Sequence, residues 1–254
     1  EGANLVLTGR NLQKLLDAKE ELERLYGVQV LPVQADVAAG SDNEAVVRSV
    51  VKKAVDTFGE IHVLINNAQA SASGVTLADH TTEQFDLAMY SGLYATFYYM
   101  KACYPYLAKT KGSVINFASG AGLSGNFGQS AYAAAKEGIR GLTRVAATEW
   151  GKDGINVNVI CPLAWTAQLE GWASAYPDAF ATQKGDRLIV PMNEGISYPA
   201  DDFRVDAVDP LIYHVLIRRE CCVCSHYKLG LFNNLGVFAA ACPEHCHAQN
   251  KSKN

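Results

Sequence analysis

The sequence lacks the features that mark several classes of protein. It contains no uncharged apolar run of the roughly 18 residues that a membrane-spanning helix needs. Neither sign of charge dominates, because 22 Lys and Arg stand against 26 Asp and Glu, a formal charge of −4. A nucleic-acid-binding protein usually presents a basic face. We therefore expect neither a membrane nor nucleic acid as a partner.

The beginning of the chain lacks a secretory leader and an initiating methionine. Residues 1–4 are polar, without the basic and then apolar pattern of a leader, and the missing methionine predicts further residues upstream. Before residue 221 the chain has two cysteines, Cys103 and Cys161, and each stands alone in apolar surroundings. Such cysteines are usually buried and reduced. We therefore expect the main body of the protein to be cytoplasmic.

From residue 4 to about 162, short β-branched runs alternate with longer amphipathic stretches. Strands are predicted at 5–8, 28–37, 61–65, 113–117 and 155–160, and helices at 11–26, from 41 to 58, from 81 to about 107 and at 130–150. Residues 41–44 and 81–84 have the capping-box form that opens a helix. This alternation predicts an α/β fold, a Rossmann-like parallel sheet with helices on both faces. Ligands of such sheets bind outside the carboxyl ends of the strands.

Candidate chemistry follows the predicted strand at 113–117. Ser119 comes directly after it, Tyr132 begins a helix, and Lys136 is one turn further, which puts Tyr132 and Lys136 on one helix face. A phenol has an unperturbed pKa of about 10, and a neighbouring ammonium lowers that pKa toward neutrality. Ser119 would hold a substrate carbonyl against this acid. The alternative interpretation is a packed tyrosine beside a solvated lysine.

The segments around these residues resemble the short-chain dehydrogenase/reductase family. The resemblance rests on residues 35–37, 64–68, 114–119, 132–136 and 155–162, and it covers roughly residues 1–183. It implies an oxidoreductase that interconverts a ketone and a secondary alcohol. In that family pattern Tyr132 is the acid and base, Lys136 lowers its pKa and binds the nicotinamide ribose, and Ser119 orients the substrate.

The same resemblance implies a cofactor site at the ends of other strands. Asp36 and Val37 would flank the adenine, Asn67 and Ala68 would line the cofactor with backbone groups, and Pro162 follows the last matched strand. Arg10 would determine the cofactor preference. NAD-selective sites place an acidic residue at the position of Gly9, whereas the guanidinium of Arg10 can bind the 2′-phosphate of NADP. NADP is the expected cofactor and NAD the alternative. The alternative interpretation of Arg10 is a solvated loop residue without a role in binding.

The sequence departs from the family pattern at its beginning. The resemblance starts at what corresponds to the second strand, so we expect a fold without the first strand and its glycine-rich turn. That turn brings backbone amides and a helix N-terminus to the pyrophosphate. The expected consequences are a sheet without its central strand and weak or absent binding of NADPH.

Three single positions also depart from the pattern. An Asn that holds a relay water in many members falls on Gly92, which leaves Ser91 or a water as the alternative relay. Gln69 replaces the usual Gly, and Leu163 follows Pro162. The last two substitutions are expected to narrow the nicotinamide pocket.

Residues 184–254 form a second, atypical region that we expect to be poorly ordered. Cys222, Cys224, Cys242 and Cys246 are candidate zinc ligands there, but their spacing is not a common zinc pattern, and reactive thiols are the favoured alternative. No metal site is therefore predicted.

Aromatic residues mark two further segments. Six tyrosines between residues 90 and 106 suggest a core or subunit-interface face, hence a possible homo-oligomer. The set Trp165, Trp172, Tyr176 and Phe180 lies where the family has its substrate lid, so it suits a large apolar carbonyl or alcohol. Simple packing of a helix is the alternative.

Two hypotheses follow. The first is an NADP-dependent oxidoreductase with Tyr132 as its acid and base. The second is a family-derived remnant without catalysis or cofactor binding, which acts through protein contacts.

Overall fold

The five strands and four helices that the sequence predicts occur in the predicted order. The computed structural model describes residues 2–38, 40–162, 167–175, 177 and 236–240. The strands are β1 (Asn4–Gly9), β2 (Val30–Gln34), β3 (Val63–Asn66), β4 (Ser113–Phe117), β5 (Asn156–Ile160) and β6 (Gly236–Ala240). The helices are α1 (Leu12–Tyr26), α2 (Asn43–Phe58), α3 (Thr82–Ala88), α4 (Ala95–Thr110), α5 (Gly120–Ser124), α6 (Ser130–Trp150) and α7 (Ala167–Ala175). Of these, α5, α7 and β6 are additional elements.

The strands form one sheet in the order β2-β1-β6-β3-β4-β5. The pairs β1–β2, β3–β4 and β4–β5 are parallel, as predicted. β6 lies antiparallel between β1 and β3, where Phe238 is opposite both Val6 and Leu64. The expected gap at the centre of the sheet is therefore wrong: a strand from the region 184–254 occupies it. Apart from the five residues of β6, the region 184–254 lies outside the described residues.

Helices cover both faces of the sheet, because neighbouring residues of a strand point to opposite sides. Val6 is 0% exposed and packs in the cluster that α2 and α4 cover, whereas Leu7 is 2% exposed and packs with α1. Two buried clusters, one on each face, confirm the predicted Rossmann-like α/β architecture.

The two predicted capping boxes have different outcomes. The box that opens α3 is confirmed: the Gln84 amide donates to Thr81 Oγ1 (3.2 Å) and the Thr81 amide to Gln84 Oε1 (3.0 Å). The box at 41–44 is wrong, because Gly40–Asp42 is a 3₁₀ turn and α2 begins at Asn43. The buried side-chain Nδ2 of Asn43 donates to the carbonyls of Val37 (2.6 Å) and Tyr90 (2.8 Å), so tertiary contacts hold this helix start.

The predicted long helix consists of three pieces in direct succession. α3 passes into a π-helical segment, Met89–Tyr94, and this passes into α4. π-Turns of this kind insert extra residues into a helix and often lie at functional sites. None of the described helices has the length and apolar character to cross a membrane.

Candidate active site

The carboxyl ends of β3 and β4 are joined by side-chain hydrogen bonds. Asn66 Nδ2 donates to Asn116 Oδ1 (2.8 Å), and the fully buried Asn116 donates to Thr143 Oγ1 on α6 (2.9 Å). These contacts tie two strand ends to α6 at the edge of the sheet where ligands of such folds bind. Buried amides without partners would cost free energy, so the network fixes the relative positions of these elements.

Ser119, Tyr132 and Lys136 come together at this edge. Ser119 is the N-cap of α5, and its Oγ accepts a hydrogen bond from the Ala121 amide (3.1 Å). Tyr132 and Lys136 lie one turn apart on α6, with Lys136 Nζ 5.5 Å from the centre of the Tyr132 ring. A side-chain hydrogen bond joins Tyr132 to Ser119. The predicted triplet therefore shares one site.

The electrostatics of the triplet differ from the expectation. Burial raises the pKa of Tyr132 above its ordinary value; the bond to Ser119 lowers it and the nearby Cys161 raises it further. Burial lowers the pKa of Lys136 to about 8, and its Nζ donates to the carbonyl of Phe117 (2.6 Å). The pKa of Tyr132 is therefore raised rather than lowered, because burial outweighs the contact with Ser119, and the effect of Lys136 on that pKa stays a prediction.

Several predicted cofactor residues line one cleft at the same edge. Val37, Asn67 and Ala68 line a small open cleft together with Thr8 and Tyr99. The backbone of the segment after β3 forms part of its wall, as the family pattern implies. The structure therefore brings the predicted adenine-side and strand-end residues to a common surface.

The other predicted cofactor residues lie outside the walls of this cleft. Arg10 is exposed just after β1, and its carbonyl accepts a hydrogen bond from Gln34 Nε2 (2.9 Å). Asp36 is exposed, and its Oδ1 accepts from the Ala38 amide (2.9 Å), a local turn contact. Pro162 is exposed after β5. These three are positioned at strand ends without a described contact to the triplet.

Gln69 and Gly92, two of the departures from the family pattern, face each other. A Cβ on Gly92 would lie 2.7 Å from Gln69 Cδ, so the Gln69 carboxamide fills the space beside the π-helical segment that a side chain at 92 would take. Gln69 Nε2 and Oε1 are shielded from solvent and have no hydrogen-bond partner among the described residues. The Gln69 side chain therefore takes up space beside the helix at Gly92. The narrowing of the nicotinamide pocket by Gln69 stays a prediction.

Ser91 is fully engaged by the backbone of the neighbouring loop. Its Oγ accepts from the Ala70 amide (2.9 Å) and donates toward the carbonyls of Leu87 (2.6 Å) and Ala70 (3.0 Å). The residue is 1% exposed. Ser91 thus holds the loop that carries Gln69. Because its hydroxyl is occupied in this way, Ser91 is unsuited to replace the Asn of the proton relay.

Sequence reasoning missed Arg140, a buried guanidinium beside the triplet. Arg140 is 2% exposed, and its Nη2 donates to the carbonyl of Ser119 (2.8 Å). The signal was present in the spacing, because Arg140 lies one helical turn beyond Lys136, as Lys136 lies one turn beyond Tyr132.

Other predicted features are only partly described. Tyr90 and Tyr94 stack with ring centres 5.1 Å apart, and Tyr94 and Phe97 are 42% and 40% exposed; the oligomer remains a prediction. α7 covers the segment of the predicted lid. Positions outside the described residues or side chains are Leu163, Trp165, Trp172, Tyr176, Phe180, Cys222, Cys224, Cys242 and Cys246.

Comparison with known proteins adds family evidence to this geometry. A sequence profile described as short chain dehydrogenase matches residues 1–174. The chain is 70% identical over 180 residues to a 12α-hydroxysteroid dehydrogenase from Clostridium sp., covering 71% of this chain and 70% of that enzyme. It is 33% identical over 168 residues to a meso-2,3-butanediol dehydrogenase from Serratia marcescens, covering 64% and 65% of the two chains.

Solved structures agree with the fold. A levodione reductase superposes with a TM-score of 0.65 and 29% identity, over 73% of this chain and 75% of that one. A xylitol dehydrogenase solved with NAD⁺ gives a TM-score of 0.62 over 73% and 69% of the chains; at 24% identity this similarity supports the fold alone.

Proposed function

The chain belongs to the short-chain dehydrogenase family, and from that premise we propose that it transfers hydride between NADP(H) and a hydroxysteroid or its ketone. The observation that carries the chemistry is the meeting of Ser119, Tyr132 and Lys136 at the carboxyl edge of the sheet. The substrate class rests on the 70% identity to a 12α-hydroxysteroid dehydrogenase.

Tyr132 would act as the acid in carbonyl reduction. Its raised pKa keeps the phenol protonated at neutral pH, so the proton is in place at Oη for the substrate oxygen. In alcohol oxidation the same oxygen would accept the proton, which favours higher pH. Ser119 Oγ, already bonded to Tyr132, would hold the substrate oxygen beside it.

Lys136 would supply the positive charge of the site. With a pKa of about 8 it carries that charge at neutral pH and loses it in mildly alkaline solution. A charged ammonium one turn from Tyr132 stabilises the phenolate that remains after proton transfer. Lys136 is also the residue proposed to hold the nicotinamide ribose.

The cleft at the same edge of the sheet contains residues that would contact a nicotinamide cofactor, which supplies or takes the hydride when bound. Val37, Asn67 and Ala68 would contact it through apolar and backbone groups. The preference for NADP rests on Arg10, exposed after β1 and free to bind a 2′-phosphate, and on Gly9, which offers no carboxylate to the ribose of NAD. Asp36 and Pro162 would lie at the margins of the same site.

Exposed apolar side chains in the segments after β3 and β4 support a large, rigid substrate such as a steroid. The loops after β3 and β4 are joined by the hydrogen bond from the Gly74 amide to the Gly128 carbonyl (2.8 Å). Within five residues of this junction along the chain, Leu77, Leu123 and Phe127 are 76%, 48% and 63% exposed. Exposed apolar side chains that cluster at a site often mark a ligand surface.

The test is turnover of a 12α-hydroxysteroid or its 12-ketone with NADP(H), followed by nicotinamide absorbance. Tyr132→Phe should abolish turnover because it removes the only transferable proton on the ring, while circular dichroism and melting stay unchanged. Butanediol and acetoin serve as small-substrate controls and should react poorly. Turnover by Tyr132→Phe would contradict the proposed acid. Absence of any turnover, with no binding of NADPH, would favour the non-catalytic alternative.

A further inference from the structure

Arg140 carries one of the largest fully buried side chains of the described residues, and its guanidinium lies within the active-site framework. Nη2 donates to the Ser119 carbonyl (2.8 Å), while Nε and Nη2 both donate to Glu137 Oε1 (3.1 and 2.9 Å). A buried cation needs such partners, since an unpaired one is costly. The proposed reaction assigns Arg140 no role.

Arg140 and Lys136 form a pair of donors that matches the chain leaving β4. Lys136 Nζ donates to the carbonyl of Phe117 and Arg140 Nη2 to that of Ser119. Residues four apart on a helix are about 6 Å apart along its axis, and residues two apart in extended chain are about 6.6 Å apart. The two repeats agree, so two cations one helical turn apart hold two carbonyls of one extended segment.

Glu137 fixes the direction of the guanidinium from the other side. Its carboxylate lies against Gly122 of α5, where a Cβ would stand 2.3 Å from Glu137 Oε1. A larger residue at 122 would displace the Glu137 carboxylate. The side chain of Glu137 is 40% exposed and that of Arg140 is 2% exposed, so the acid reaches solvent while the base does not. The Arg140–Glu137 pair thus links α6 to α5, whose N-cap is Ser119.

We propose that Arg140 is a positioning residue for Ser119: by holding the Ser119 carbonyl, it sets the direction of the Ser119 hydroxyl toward Tyr132. This inference rests on the proposed function for its kinetic test. Ser119 is extended, with φ −153° and ψ 150°, and its Oγ direction depends on its backbone being held in that form. Among the described residues, the hydrogen bond from Arg140 Nη2 to the Ser119 carbonyl is the side-chain contact by which α6 holds the backbone of Ser119. Arg140 acts only through Ser119 and touches no reacting atom.

The kinetic test compares Arg140→Met in two backgrounds. Met fills the buried space without donors, and we expect kcat to fall by roughly 10- to 100-fold, as small misplacements of reacting groups do, with the KM for NADPH unchanged. In a Ser119→Ala background the same substitution should change kcat by less than about threefold, because the group it positions is gone. Arg144→Met, an exposed arginine one turn further on α6, is the matched control and should leave kcat unchanged.

Equal losses of kcat in both backgrounds, or a wild-type kcat for Arg140→Met, would overturn the proposal. If Arg140→Met does not fold, Glu137→Gln replaces it as the test variant. Glu137→Gln weakens the ion pair with Arg140 and should give a smaller loss of kcat, with the same dependence on Ser119.

A second readout needs no turnover. The Ala121 amide donates to Ser119 Oγ, so its hydrogen exchange reports the position of that side chain. Arg140→Met should accelerate exchange at Ala121, and Arg144→Met should not. If the wild-type chain has no dehydrogenase activity, the proposed function fails, and this exchange measurement alone decides the positioning role. Unchanged exchange at Ala121 would then overturn it.

Discussion

Burial of Lys136 predicts that its charge destabilises the fold, and the effect depends on pH. Lys136 is 5% exposed, and burial lowers its pKa from the ordinary value of 10.5 to about 8. The unfolded chain therefore binds this proton more tightly than the folded chain, so stability rises with pH between about 8 and 10.5. That interval corresponds to about 3 kcal/mol, at about 1.4 kcal/mol per pH unit.

Comparison with Lys136→Met isolates this contribution. The substitution also removes the donor to the Phe117 carbonyl, but that loss is nearly the same at every pH and cancels in the pH dependence. Relative to Lys136→Met, the wild type should gain about 3 kcal/mol in its free energy of unfolding between pH 7 and pH 10.5. Titrating groups that do not interact with Lys136 cancel in the same difference, and Cys161, whose charge does interact with that of Lys136, adds a smaller part.

The assay is urea unfolding of both proteins at several pH values, with the free energy obtained by linear extrapolation. Lys53→Met, at an exposed position of α2, is the control and should show no pH-dependent difference from the wild type. A flat difference between wild type and Lys136→Met would refute the reasoning, because it would mean that the ammonium is solvated.

Three further predictions concern the site. Gly92→Ala should destabilise the protein in the presence of Gln69, whose Cδ would be 2.7 Å from the new Cβ, and a thermal double-mutant cycle with Gln69→Gly should recover about 1 kcal/mol or more. Arg10→Ala should weaken binding of NADPH about tenfold, the size of one charge-assisted contact, and leave NADH binding unchanged by fluorescence titration. The rate of ketone reduction at saturating substrate should fall as pH rises through about 8, where Lys136 loses its charge, and a pH-independent rate up to pH 10 would contradict that role.

Local patterns in the sequence were sufficient for most of the main body. Strand and helix order followed from the alternation of apolar runs, and Tyr132 and Lys136 were placed on one face by their spacing alone. The capping box at Thr81 was predictable because all of its contacts lie within four residues. The box expected at residues 41–44 failed for the opposite reason: Asn43 bonds to Tyr90, 47 positions away.

Only the tertiary structure decided what surrounds the candidate catalytic groups. The sequence placed a lysine beside a tyrosine, but the fold buried both, which raised the pKa of Tyr132 where a lower one was expected, and it directed the ammonium to the carbonyl of Phe117. It also set Gln69 against Gly92, 23 positions apart in the printed sequence, and brought β6 between β1 and β3. Periodicity reports which face a side chain takes on its own helix or strand. Desolvation and hydrogen bonding depend on which distant segment covers that face, and that information is carried by packing.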